Sequence, residues 1–156
     1  MHTTFCDKGS ARSRIEDPKL GRTGALSYDE IRKGFMTGSH AAAYRQGIDL
    51  FNEEKFFDAH EVLEDVWRDA PEPERKFLQG LIQVAVAFHH HTRGNVVGCL
   101  SLLNRGGRNL SLYDSPHGGV AVATLLLLLN EWKDAVTSGN TIPPFPKLQV
   151  DFSSLR

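Results

Sequence analysis

Cysteine is nearly missing from this chain, which carries only Cys6 and Cys99, far apart in sequence. Two distant thiols build neither a disulfide framework nor a structural zinc site. They fit a reducing, cytoplasmic setting. An excess of either charge is missing too: 18 Lys and Arg face 19 Asp and Glu, for a formal net charge of −1. That balance leaves no basic footprint for nucleic acid and no polybasic patch for an anionic membrane. Long apolar runs are absent. The longest, Val120 to Leu129, falls well short of the roughly 20 residues that cross a bilayer. The N-terminus is polar and basic, without the apolar region of a signal peptide. No Ser-His-Asp or Cys-His nucleophile pattern stands out. Neither Gly106-Gly107 nor Gly118-Gly119 follows a strand with phosphate-loop spacing.

What remains is ordinary for one soluble domain with a real core: 156 residues, 40% hydrophobic and 24% charged, within the usual domain size. Residues 1–40 read as a flexible tail, with a short amphipathic helix near 27–35 on Tyr28, Ile31 and Phe35. Residues 41–137 read as a helical bundle. Residues 138–156, with Pro143, Pro144 and Pro146, read as an extended C-terminal tail. Its Ile142, Phe145, Leu148, Val150 and Phe152 are spaced to lie across the bundle.

Five helices are predicted, over Ala41–Phe51, Phe56–Asp69, Pro73–Arg93, Val96–Ser111 and Val120–Val136. Pro71 stops the second, Pro73 suits the first turn of the third, and Gly94 suits its C-terminal cap. Gly106 and Gly107 weaken the fourth. The third carries Phe77, Leu78, Leu81, Ile82, Val84, Ala85 and Phe88 around most of its circumference, which places it at the centre. No segment alternates convincingly enough to demand a sheet. The fold class is therefore all-α, a compact bundle of about five helices built from helical hairpins. Gly47, Ala59 and Pro71 recur at twelve-residue intervals, which makes the first hairpin distantly tetratricopeptide-like. Two weak units fall short of a solenoid, which needs about three or more.

The second helix carries the chemistry. At about 100° per residue, Ala59, Val62, Leu63 and Val66 face the core. His60, Glu61, Glu64 and Arg68 fall on the other side, around Phe57. His60 and Glu64 are one turn apart, as are Glu64 and Arg68, so each pair can touch. Imidazole and carboxylate together can hold a divalent metal or move a proton. They also make an ordinary solvated ion pair. His-Glu-x-x-Glu lacks the second histidine of the metalloprotease helix. On the third helix Gln79, Gln83 and His90 form a polar stripe that needs partners if buried. Helix two is the expected source, as a pocket or as a structural network that sets helix register. His89, His90 and His91 point about 100° apart and cannot share one ion. His89 lies nearer the apolar side. Trp67 and Trp132 suit the core or a pocket rim.

The run Phe51-Asn52, Phe56-Phe57, Ala59-His60-Glu61-Val62-Leu63-Glu64 and Trp67-Arg68 resembles an all-helical family, domain of unknown function 309. So do Phe77-Leu78-Gln79-Gly80-Leu81-Ile82-Gln83, then Ala85, Ala87, His90 and Gly94-Asn95. The resemblance covers roughly residues 44–113. It implies a small helical bundle and brings no established reaction or substrate. It marks His60, Glu61, Glu64, Trp67, Arg68, Gln79, Gln83 and His90 as candidate site residues.

The expected function is a binding or interaction module with a His/Glu/Gln site between helices two and three. Its partner is a small molecule or a protein, with no nucleic acid and no membrane. The alternative is a metal-dependent or acid/base enzyme using His60 and Glu64. No cofactor is expected, unless a divalent metal sits on His60, Glu64 and His90. The apolar fifth helix around Leu125–Leu129 suits a homo-oligomer.

Overall fold

The computed structural model describes Ser27, Glu30 and residues 38–155. The expected tail over 1–40 and the short helix near 27–35 lie outside the described residues, save for Ser27, Glu30 and residues 38–40, which open the first helix. Five helices follow: α1 (Gly38–Asn52), α2 (Phe56–Asp69), α3 (Glu72–Thr92), α4 (Val96–Leu110) and α5 (Val122–Ser138). A short 3-10 turn, Phe152–Leu155, closes the described chain. Among the described residues there is no strand, only isolated bridges between His117 and Val120 and between Val120 and Val150. The chain is all-α.

The boundaries follow from local chemistry. Pro71 is extended and serves as the N-cap of α3. Pro73 sits in the first turn, where a missing N–H costs nothing. Glu72 and Glu74 stand in that turn, where carboxylates complement the positive end of the helix dipole. Helix α5 begins at Val122, not at Val120. The Val120 N–H and carbonyl are spent on His117, so that residue cannot open a helix. At its far end Gly139 is left-handed, φ 72°, and the Asn140 N–H returns to the Ala135 carbonyl at 2.9 Å. This is the glycine cap that lets a chain leave a helix at a sharp angle.

Helix α3 is the hub. Every residue from Gly80 to Phe88 is buried, as its all-round apolar surface requires. It packs on α2 on one side and α4 on the other, while α1 covers α2 and α5 rests on α4. Two approaches are closer than side chains usually allow. A Cβ on Gly47 of α1 would lie 2.6 Å from the Leu63 side chain of α2. Gly80 of α3 and Gly106 of α4 face each other so closely that a Cβ on Gly106 would sit 3.0 Å from the Gly80 carbonyl oxygen. Gly106 therefore costs α4 helix propensity and repays it in contact with α3.

In the fifth helix the leucine run is split by its geometry. Leu125 and Leu129 are buried, while Leu127 is 66% exposed. Past Gly139 the chain runs extended over the bundle. Leu148 is buried, and Ile142, Phe145, Val150 and Phe152 pack against the core.

Candidate functional site

Helix α2 presents His60 and Glu64 one turn apart, with Nε2 of His60 3.8 Å from a Glu64 carboxylate oxygen. The imidazole is nearly enclosed, its side chain 8% exposed, whereas Glu64 keeps 23%. Nδ1 of His60 lies 3.1 Å from the Phe57 carbonyl. A carbonyl only accepts, so Nδ1 donates and Nε2 is the nitrogen turned toward Glu64. His60 is thus more deeply set than the helical wheel implies, because Phe57 folds over it at 5.2 Å between ring centroids. Val62, placed on the core face by the wheel, is only half-buried, and Glu61 is exposed. Arg68 pairs with Asp65, where Glu64 was expected. Asp65 is one turn back on the exposed side, so the guanidinium reaches it without bending inward.

The α3 histidine that joins this corner is His89, whose ring lies 5.2 Å from Phe57. Burial first, then the charges of Arg93, His90 and His60, hold its ring below the ordinary histidine range. His90, expected in the polar stripe, is tied to the α3–α4 turn. Its Nδ1 accepts from the Asn95 amide at 3.3 Å, and its carbonyl accepts from the Asn95 N–H at 2.9 Å. The Asn95 side chain in turn caps α4 by accepting from the Gly98 N–H. Left-handed Gly94 (φ 81°) makes that turn. His90, Gly94 and Asn95 therefore act together as a helix-joining device.

Gln83 is buried and accepts from the Asn109 amide of α4 at 2.8 Å. Gln79 is half-buried one turn before it. Trp67 is covered by the Arg75 guanidinium, 4.3 Å above its ring, an attraction of about 0.5–1 kcal/mol at partly exposed sites. Six of the eight candidates thus divide among three places: His60 and Glu64 at their corner, Gln83 and His90 at the α3–α4 seam and turn, and Trp67 and Arg68 at the α2–α3 connection, while Glu61 is exposed and Gln79 half-buried. Among the described residues no group of three or more His, Cys, Asp or Glu side chains is gathered to hold a metal ion.

Sequence reasoning missed a second polar cluster. Glu74 at the start of α3 is 3% exposed. Nε2 of His117, in the α4–α5 loop, lies 3.2 Å from each of its carboxylate oxygens. The His117 ring sits 4.6 Å from both Phe77 and Tyr113. Tyr113 donates to the Pro73 carbonyl, and Tyr44 of α1 donates to the Gly118 carbonyl at 2.6 Å. A signal was present. Glu74 falls in phase with Phe77, Leu78 and Leu81, a charged residue at core spacing. Its partner is 43 residues away, and nothing local announces it.

These two tyrosines set an alkaline limit. Burial and then the Glu74 carboxylate push Tyr113 up to about 12, and the same causes raise Tyr44 further. Both hydroxyls ionise later in the folded than in the unfolded chain. Their stabilising effect is full below the ordinary tyrosine value near 10 and is lost as pH climbs toward the folded values. Stability is expected to hold to about pH 10 and fall beyond it. Absorbance at 295 nm and far-UV circular dichroism followed together check this. Ionisation of all three tyrosines well before any loss of helix would contradict it.

Comparison with known proteins bears on this helical core. A 49-residue stretch is 43% identical to the uncharacterized protein YpuF of Bacillus subtilis (strain 168) and makes up 31% of this chain. It spans 28% of the length of that relative. Residues 44–102, from Tyr44 in α1 to Leu102 in α4, match the family model of the domain of unknown function 309, the family that the motifs of α2 and α3 resemble.

Proposed function

We propose that this chain is a binding module whose recognition corner is the α2–α3 edge around His60, Glu64 and His89. The observation that carries this reading is the asymmetry of the His60–Glu64 pair. Packing encloses the imidazole, while its carboxylate partner reaches solvent. A polar group held in place from beneath is pre-organised, and pre-organisation lowers the entropy cost of binding. Phe57, 37% exposed, adds an apolar surface beside it. Its partner is a small molecule or a protein segment that offers a hydrogen-bond donor or a positive charge to Glu64.

The test is Glu64→Gln in the full chain. The expected result is an unchanged melting temperature, within about 2 °C, together with loss of whatever the wild-type chain retains on affinity capture. The opposite outcome, a loss of about 3–5 kcal/mol with the partner retained, makes the pair a structural one.

A second reading has its own observation. With Nδ1 committed to the Phe57 carbonyl, His60 turns Nε2 toward a carboxylate, the arrangement of an acid/base pair or of two metal ligands. Metal analysis of protein purified without a histidine tag, alongside His60→Ala, separates the two. Bound zinc, manganese or iron that disappears in the variant favours this second reading.

A further inference from the structure

The C-terminal segment is held as a peptide ligand is held. Its main chain is read by side chains of the helical body. The Asn52 amide closes on Leu148 from both sides, donating to its carbonyl at 3.1 Å and accepting from its N–H at 2.7 Å. The Trp132 indole N–H donates to the Pro144 carbonyl at 3.1 Å. Two side chains fill pockets. Phe145 stacks on Trp132 with ring centroids 5.2 Å apart and planes 15° apart. The same ring meets Phe56 at 4.9 Å and Phe88 at 5.1 Å. Leu148 is 3% exposed.

Main-chain bonds supply affinity whatever the sequence, and pockets for spaced side chains supply specificity; together these are the features of extended-peptide recognition. Pro143, Pro144 and Pro146 stiffen the segment, which reduces the entropy lost on docking. The segment leaves α5 through left-handed Gly139. It therefore connects to the body by a turn and not by a continued helix.

We propose that the surface formed by Asn52, Phe56, Phe88 and Trp132 is a peptide-binding groove. Residues 142–150 occupy it in cis. In trans it takes an extended, proline-rich protein segment with a phenylalanine followed three positions later by leucine, as Phe145 and Leu148 stand here. The groove is separate from the His60–Glu64 corner, so the two readings stand or fall independently.

The probe is a fluorescein-labelled peptide of residues 141–151, and the protein is the full chain. In the wild type the tethered segment competes with the probe. In the double variant Phe145→Ala, Leu148→Ala that competitor is weakened. The expected result is binding at least about tenfold tighter than to the wild type. Asn52→Ala added to the same background should remove the gain. A double variant that stays helical by circular dichroism and binds no better than the wild type overturns the proposal. So does a gain that survives Asn52→Ala. If the double variant does not fold, hydrogen exchange on the wild-type chain decides. The Leu148 amide, bonded to Asn52, should exchange by local opening, well before those of Leu81 to Phe88. Equal protection of both means that the segment leaves only when the bundle unfolds, and the groove is then not available in trans.

Discussion

Phe88→Ala should lower the unfolding free energy by about 3–5 kcal/mol, the range for removing a large aromatic from a closed core. Phe88 is 0% exposed. Its ring stands 6.2 Å from Phe51, 5.4 Å from Phe56, 4.9 Å from Trp132 and 5.1 Å from Phe145. Those four rings come from α1, α2, α5 and the C-terminal segment, so one side chain of α3 ties three other helices and that segment together. Phe51, Phe56 and Trp132 are fixed by their helices and cannot move in to fill the space. The cavity term therefore adds to the lost transfer energy instead of being relieved. Urea unfolding followed by circular dichroism measures it. The midpoint should fall with the slope unchanged. A loss under about 1 kcal/mol would mean that the site collapses around the smaller residue.

The second large effect separates adjacent residues. Gly106→Ala should destabilise by about 1–3 kcal/mol, the cost of overpacking. The new methyl would lie 2.9 Å from a Val84 methyl and 3.0 Å from the Gly80 carbonyl oxygen. The carbonyl belongs to the helix backbone and cannot rotate away. Relief requires α4 to draw back from α3, which loosens the Gln83–Asn109 bond across the same seam. Gly107→Ala should act in the opposite direction. Its Cβ would meet only the Leu126 side chain, at 4.0 Å. Replacing a helix-interior glycine with alanine there gains about 0.5–1 kcal/mol. Thermal unfolding of the pair should move the two midpoints in opposite directions. If both variants lose stability equally, the close approach of α3 and α4 is not what holds Gly106.

Much of this was legible in the chain. The α2 limits, Phe56 to Asp69, follow from an apolar stripe closed by Pro71. The central place of α3 follows from apolar residues around its whole circumference. These are short-range statements, and a helix writes them in its own periodicity. The His60–Glu64 contact belongs to the same class, because a spacing of four residues on one helix is enough to define it.

Which neighbour each polar side chain takes was less legible. The wheel assigned Arg68 to Glu64 and His90 to the polar stripe, since it knows direction but not depth. Phe57 folds over His60, Asp65 takes Arg68, and Asn95 takes His90. Each choice is made among groups three to five residues apart, by side-chain depth and by the turn of the chain, which spacing alone does not give.

By itself the sequence determined an all-helical chain, the order of its helices, the identity of its central one and the pair on α2. Backbone hydrogen bonding and hydrophobic periodicity are local, so they can be read from residues a few positions apart. The tertiary structure alone decided that Glu74 meets His117, that Gly80 meets Gly106, and that Asn52 closes on Leu148. Those contacts join residues distant in the chain. They depend on how closely whole helices approach, and no local pattern carries that distance.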